Sequence, residues 1–276
     1  MFTDKLNIPL FASMKFSDFT ERFTFFKELG IFPEIYFDAG ETENLKLDNI
    51  REVAGALSHA GMLVTVHAPF WDLSLGSTDR DIRRVSLKRM TAALNIANTL
   101  NAQNVVFHSG YNETSFLSRG RGEWIKNICD SIGEVIEYAK SFGISLAIEN
   151  VYDKTPDIIM QIVESFSKRE LNICFDTGHF NVFAQSPLED WIDAFAPYMR
   201  EIHLHSNFGR DDEHLALDDG NIDFERVLAR MVEKRANPIV TVENKKNDYL
   251  SRSVKMLRSE RFFRLMNNFR AQYKNA

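Results

Sequence analysis

All but one of the chain's seven histidines stand at the ends of short apolar runs or just beyond them: His67, His108, His179, His203, His205 and His214. His59 alone falls inside a helical pattern. Acids close three of the same runs, in Ala147-Ile148-Glu149-Asn150, Cys174-Phe175-Asp176 and Thr241-Val242-Glu243-Asn244, and a further stretch reads Asp212-Glu213-His214. A lone charge at the end of an apolar strand is costly to bury, so each of these acids needs a partner. A divalent cation is the strongest partner available. Mixed imidazole and carboxylate donors suit zinc, manganese, iron or cobalt better than calcium or magnesium. The candidate ligands are His67, His108, Glu149, Asp176, His179, His203, Asp212, His214 and Glu243. They exceed the roughly four to six donors of one ion. Either two or three ions bind, or some histidines, His108 among them, face substrate. His205 follows His203 by two residues and shares its side of the strand; it could serve as a spare ligand, but a rim role is preferred for it.

These side chains need a frame that collects strand ends at one face. Apolar runs of about five residues, the length of buried parallel strands, recur at Ile8–Ala12, Glu34–Phe37, Leu63–His67, Asn104–His108, Ser145–Glu149, Asn172–Asp176, Glu201–His205 and Ile239–Glu243. Between them lie stretches with apolar residues at helical spacing: Ser17–Leu29, Leu47–His59, Asp79–Leu100, Glu123–Phe142, Pro156–Phe166, Pro187–Tyr198, Asp223–Lys234 and Tyr249–Phe269. Strand then helix, repeated in this way, predicts an α/β (β/α)8 TIM barrel formed as one domain over residues 1–276. The rival open, doubly wound sheet normally has a glycine-rich first turn, whereas this one reads Ala12-Ser13-Met14-Lys15. In a barrel, catalytic groups sit at the C-terminal ends of the strands, where the candidate ligands fall.

Composition sets the outer limits. The 276 residues are 44% hydrophobic and 26% charged, which excludes wholesale disorder. The net charge of −6 disfavours a large basic surface for nucleic acid. Cys129 and Cys174 do not make a disulfide framework and are expected as buried free thiols. With no signal peptide and no spanning apolar run to be seen, a cytoplasmic protein with no membrane partner is the expectation.

The motifs around the candidate ligands resemble those of the xylose isomerase-like TIM-barrel superfamily. That group holds sugar phosphate isomerases and epimerases, inosose isomerases and dehydratases, and endonuclease IV. The similar stretches are Val66-His67-Ala68-Pro69-Phe70, Phe107-His108-Ser109-Gly110, Ile148-Glu149-Asn150, Phe175-Asp176-Thr177-Gly178-His179, Ile202-His203-Leu204-His205 and the segment from Asp212 to Phe224. In the epimerase branch the resemblance implies one divalent ion on Glu149, Asp176, His203 and Glu243. It also implies that the two glutamates move protons on opposite faces of a sugar carbon. In endonuclease IV, matches to all nine candidates hold three zinc ions, and this sequence keeps every one.

The loops weigh sugar against DNA. A DNA repair enzyme needs basic, protruding loops, yet the segment after the second strand reads Asp38-Ala39-Gly40-Glu41-Thr42-Glu43. Arg119 and Arg121 in Ser118-Arg119-Gly120-Arg121-Gly122 can clamp a single phosphate, and Lys245 can serve likewise, unless these are solvated loops. Phe70-Trp71 offers a flat platform for a sugar face, with core packing of Phe70 as the alternative. The expected activity is a metal-dependent sugar or sugar-phosphate isomerase or epimerase, acting by proton transfer through a metal-stabilised enediolate, with catalytic Glu149 and Glu243. The alternative activity is an endonuclease IV-like zinc phosphodiesterase on abasic DNA, and a non-enzymatic carbohydrate- or metal-binding barrel is a third reading. The apolar segment Glu260–Tyr273 packs either across the barrel bottom or against a second subunit of a homo-oligomer.

Overall fold

The computed structural model describes residues 9–112, 120–262, 264 and 265. Its eight parallel strands are β1 (Leu10–Lys15), β2 (Phe32–Tyr36), β3 (Thr65–His67), β4 (Asn104–His108), β5 (Ser145–Glu149), β6 (Asn172–Asp176), β7 (Met199–Leu204) and β8 (Ile239–Val242). They pair in chain order, and β8 returns to β1 to close the barrel. The helices are α1 (Phe19–Leu29), α2 (Ala39–Asn44), α3 (Leu47–His59), α4 (Arg80–Leu100), α5 (Arg121–Lys140), α6 (Asp157–Val163), α7 (Thr177–Phe183), α8 (Leu188–Phe195), α9 (Phe224–Glu233) and α10 (Asn247–Leu257). This is the TIM barrel expected from the alternation. No helix among the described residues is long and apolar enough to cross a membrane.

Burial on both faces explains the strand sequences. In β5, Leu146 and Ile148 join the large core between barrel and helices, whereas Ala147 lies with Val106 and Cys174 in a small separate cluster. Side chains alternate along a strand, so one set faces the helices and the other the lumen. Register then decides which lumen residues meet. His108 pairs with Glu149, Glu149 with Cys174, Asp176 with His203, and His203 with Thr241.

Strands β4, β5 and β6 have the expected bounds, and other ends move. Pairing of Phe11 to Lys15 with β2 carries β1 through the polar residues Ser13 and Lys15. Strand β7 stops at Leu204 and β8 at Val242, so His205 and Glu243 lie just past the strands. Two short helices are additions that no periodic pattern foretold. The segment expected to be an acidic loop is helix α2, started by a capping box in which Asp38 and Glu41 bond each other's backbone N–H. Helix α7 is started by Asp176, whose side chain accepts from the backbone N–H of His179. Cys174 is buried as expected, whereas Cys129 is only half-buried on the outer helix α5. Phe262 is buried, while Phe263, Met266 and Phe269 of the predicted last helix lie outside the described residues.

Candidate metal centre

Strand ends and the loops behind them bring all nine candidate ligands into one network. Glu149, 1% exposed on its side chain, lies at the middle. Its Oε2 is 3.0 Å from His67 Nε2 and 3.2 Å from His108 Nε2. Its Oε1 is 3.1 Å from His179 Nδ1 and 3.6 Å from His203 Nδ1. His203 Nδ1 also lies 3.9 Å from Asp176 Oδ2 and 3.4 Å from Glu243 Oε1. His214 completes the circuit, with Nε2 2.9 Å from Asp212 Oδ2 and Nδ1 3.8 Å from Glu243 Oε2.

Neighbouring asparagines hold the two glutamate strands in place. The Asn150 amide donates to the Asp176 carbonyl, and the Asp176 N–H donates to Asn150 Oδ1. The Asn244 amide donates to the carbonyls of His214 and Leu215, and Ser253 donates to Asn244 Oδ1. The repeated Glu-Asn pair therefore works as a unit: the acid enters the cluster and the amide ties down a neighbouring strand end or loop.

His205 corrects the expectation of a rim role. It is fully buried, its Nε2 lies 3.2 Å from both Asp176 oxygens, and its ring stacks on His214 at 3.9 Å. Gly178 makes the space, since a Cβ there would lie 1.9 Å from the His205 ring. His205 thus belongs to the cluster, and its Nε2 faces the donors of His179 and Asp212.

The charges in this network compensate each other. Burial by itself would lower the His67 imidazole, but the hydrogen bond and charge of Glu149 push it up to about 9. Burial likewise opposes charge on Glu149, and His108 and His203 beside it hold the carboxyl well below its ordinary range. His179 is raised well above its usual value because Asp176, Asp212 and Glu149 outweigh desolvation. His108 is the reverse case: its burial wins and its pKa falls. The rim is therefore a set of acids and imidazoles that offset one another's charge.

Its unpartnered atoms fit a cation. His203 Nδ1 is buried and has no hydrogen-bond partner, although three carboxylates face it at 3.4–3.9 Å. Donors set ~2.1 Å from one tetrahedral centre are ~3.4 Å apart. Other groups with donor atoms drawn together are His67, His108 and Glu149; Asp176, His179 and His205; and His205, Asp212 and His214.

The substrate candidates are placed less uniformly. Phe70 packs 4.6 Å from the His108 ring and 5.3 Å from His67, and Trp71 beside it is 68% exposed. Lys245 is exposed near His214, where its charge opposes protonation of that ring. Arg121 opens α5 and is half-buried, and Arg119 lies outside the described residues. The acidic residues after β2 are partly neutralised, because Lys15 pairs with Asp38 at 2.9 Å and Arg89 with Glu43 at 2.6 Å.

Two buried acids escaped the sequence reading. Glu34 and Glu201 stand in the sequence only as the first residues of apolar runs, yet both are fully buried in the lumen below the rim. The signal was present for Glu201, which precedes His203 by two residues and so shares its face. Thr241 and the Asn104 amide donate to Glu201, and burial together with the Glu34 charge pushes its pKa up to about 8. Cys174 also faces His203, and desolvation holds its thiol well above the ordinary range.

Residues 28–260 match the family described as xylose isomerase-like TIM barrel. An uncharacterized protein of Methanocaldococcus jannaschii, MJ1311, is 31% identical over 222 residues, covering 76% of this chain and 75% of its own. A probable endonuclease 4 of Mycobacterium tuberculosis is 25% identical over 209 residues, covering 73% of this chain and 81% of its own. The crystal structure of a D-tagatose 3-epimerase-like protein superposes with a TM-score of 0.82 at 26% identity, covering 94% of this chain and 98% of that one.

Proposed function

The chain belongs to the xylose isomerase-like TIM-barrel family, and from that premise we propose that it is a divalent-metal-dependent isomerase or epimerase of a small sugar or sugar phosphate. One observation carries the reading: Glu149 at the end of β5 and Glu243 just past β8 approach the same buried, unpartnered His203 Nδ1, at 3.6 and 3.4 Å. Glu149, Asp176, His203 and Glu243 would hold the ion, with His67, His108, His179, Asp212 and His214 available to further ions or to substrate. When bound, a zinc, manganese, cobalt or iron ion supplies Lewis-acid polarisation of a sugar carbonyl and its neighbouring hydroxyl.

The chain's own residues do the proton work. Glu149 and Glu243 accept and return the proton on the carbon next to the carbonyl, a contribution of roughly 10²–10⁴ in rate. One active face gives aldose–ketose isomerisation, and two give epimerisation. Phe70 seals the side of His67 and His108, and Trp71 offers an exposed platform to a sugar ring. Arg121, Lys245 and Arg119 are the candidates for a substrate phosphate. The likeness to a D-tagatose 3-epimerase-like protein supports a sugar substrate.

The test is solvent deuterium exchange at the carbon next to the carbonyl, run with metal-loaded protein on a panel of ketoses, aldoses and their phosphates. Exchange on at least one member is expected; none on any would sink the proposal. A phosphodiesterase on abasic DNA is the second reading, favoured by convergence of the full ligand set and by the endonuclease 4 relative. Cleavage of an abasic duplex that disappears in Glu149→Ala would establish it instead.

A further inference from the structure

Three rim histidines share one orientation. Nδ1 of His67 donates to the Ala68 carbonyl at 2.8 Å, that of His179 to the Asn150 carbonyl at 3.0 Å, and that of His214 to the Glu243 carbonyl at 2.8 Å. A carbonyl only accepts, so each bond fixes its ring and leaves Nε2 for the acids. Those Nε2 atoms lie 3.0 Å from Glu149, 3.6 Å from Asp212 and 2.9 Å from Asp212 respectively.

His203 is turned the other way. Its Nδ1 faces Glu149, Asp176 and Glu243, and its Nε2 points down the lumen. There it meets Glu34 Oε1 at 3.2 Å, with Glu201 Oε1 farther off at 4.0 Å, and neither Nε2 nor Glu34 Oε1 has a hydrogen-bond partner elsewhere. The His203 ring and both acids are fully buried. Glu201 is already used, since one oxygen accepts from Thr241 and the other from Asn104. Glu34 Oε2 accepts from Thr65 at 3.2 Å, which leaves Oε1 as the open acceptor beneath His203.

We infer that Glu34 is a positioning residue for His203. Its Oε1 accepts the Nε2 proton, holds the ring plane, and keeps Nδ1 facing the space among the three rim carboxylates, where an ion would sit. Strand β2 supplies none of the nine candidate ligands, so Glu34 is the route by which that strand acts on the centre. A ligating imidazole whose outer N–H is bound by a carboxylate is held in one tautomer and is a more basic donor. The effect on metal affinity rests on the proposed metal centre; the approach of Glu34 Oε1 to His203 Nε2 does not.

The full-length protein is compared with Glu34→Gln and Glu34→Leu, with thermal unfolding as a check on folding. In the metal-free wild type, NMR should find the His203 Nε2–H proton downfield and protected from exchange. Glu34→Leu should lose that protection, whereas Glu34→Gln, which still offers an oxygen, should retain it with a smaller downfield shift. Competition with a chelator should find Zn2+ held about 10–100-fold more weakly by the leucine variant, and less weakened by glutamine. An unchanged Nε2–H signal in the leucine variant, or unchanged zinc affinity, would overturn the inference. If leucine prevents folding, an unmoved signal in glutamine overturns it. A wild type that binds no divalent ion removes the metal centre, yet the ring proton still decides the role of Glu34.

Discussion

Two polar layers share the lumen of this barrel, and they satisfy their charges differently. In the lower layer, Glu201 is held by neutral donors from β4 and β8, and Glu34 by Thr65 of β3. In the upper layer, Glu149, Asp176, Asp212 and Glu243 face imidazoles, and atoms such as His203 Nδ1 and Asp212 Oδ1 have no hydrogen-bond partner. Buried polar groups are normally paired. Glu201, with both oxygens bonded, serves the fold; the unpartnered atoms of the upper layer serve something that enters, and in the lower layer Glu34 Oε1 and Asn104 Oδ1 are also left without a partner. His203 joins the two, with one ring nitrogen in each.

Breaking the upper layer should have the largest effect. Glu149→Gln is expected to lower sugar C–H exchange by roughly 10²–10⁴-fold while leaving secondary structure intact, measured by deuterium incorporation and circular dichroism. Comparable rates in the variant would take the proton chemistry away from Glu149. The upper layer should also respond to ions where the lower does not. A divalent ion at about a hundredfold over its Kd should stabilise the fold by about 2.7 kcal/mol, raising Tm by roughly 5–10 °C. Glu201→Gln should keep that increment and His203→Ala should lose most of it, as read by calorimetry.

Gly178→Ala tests how closely the upper layer is packed. The new methyl would overlap the His205 ring, so about 1–3 kcal/mol of stability and some metal affinity should be lost. The lower layer has its own signature in pH. Glu201 is raised from 4.5 to about 8, so the folded chain keeps a proton that the unfolded chain gives up. That stabilisation is full below about pH 4.5 and is lost as the pH climbs toward 8, with a slope of at most about 1.4 kcal/mol per pH unit. In metal-free protein, Glu201→Gln should flatten the fall in stability between about pH 5 and 8; identical curves would remove Glu201 as its source. The smallest effect belongs to the outer surface. Arg226 pairs with Glu189 at 2.7 Å on exposed side chains, and Arg226→Ala should move Tm by no more than about 2 °C.

Much of this was legible in the residues. The nine ligands stand out because an acid or histidine at the end of an apolar run conflicts with its surroundings, and that conflict is local. Helix α7 was not legible, because its seven residues are too few to show a period and its start depends on the Asp176 side chain. The burial of His205 was hidden for a related reason, since it depends on the close approach of Gly178 from the next segment. Glu34 sits in Phe32-Pro33-Glu34-Ile35-Tyr36, where nothing nearby marks it as different from a surface acid.

The chain's order of strand and helix, and the chemistry at six of its strand ends, follow from the sequence alone, since burial period and misplaced charge are properties of neighbouring residues. Which nitrogen of His203 faces which acid was settled only by closure of the barrel. Closure and register bring β2 and β7 to face each other across the lumen, and contact across a closed sheet depends on the stagger of every strand between them.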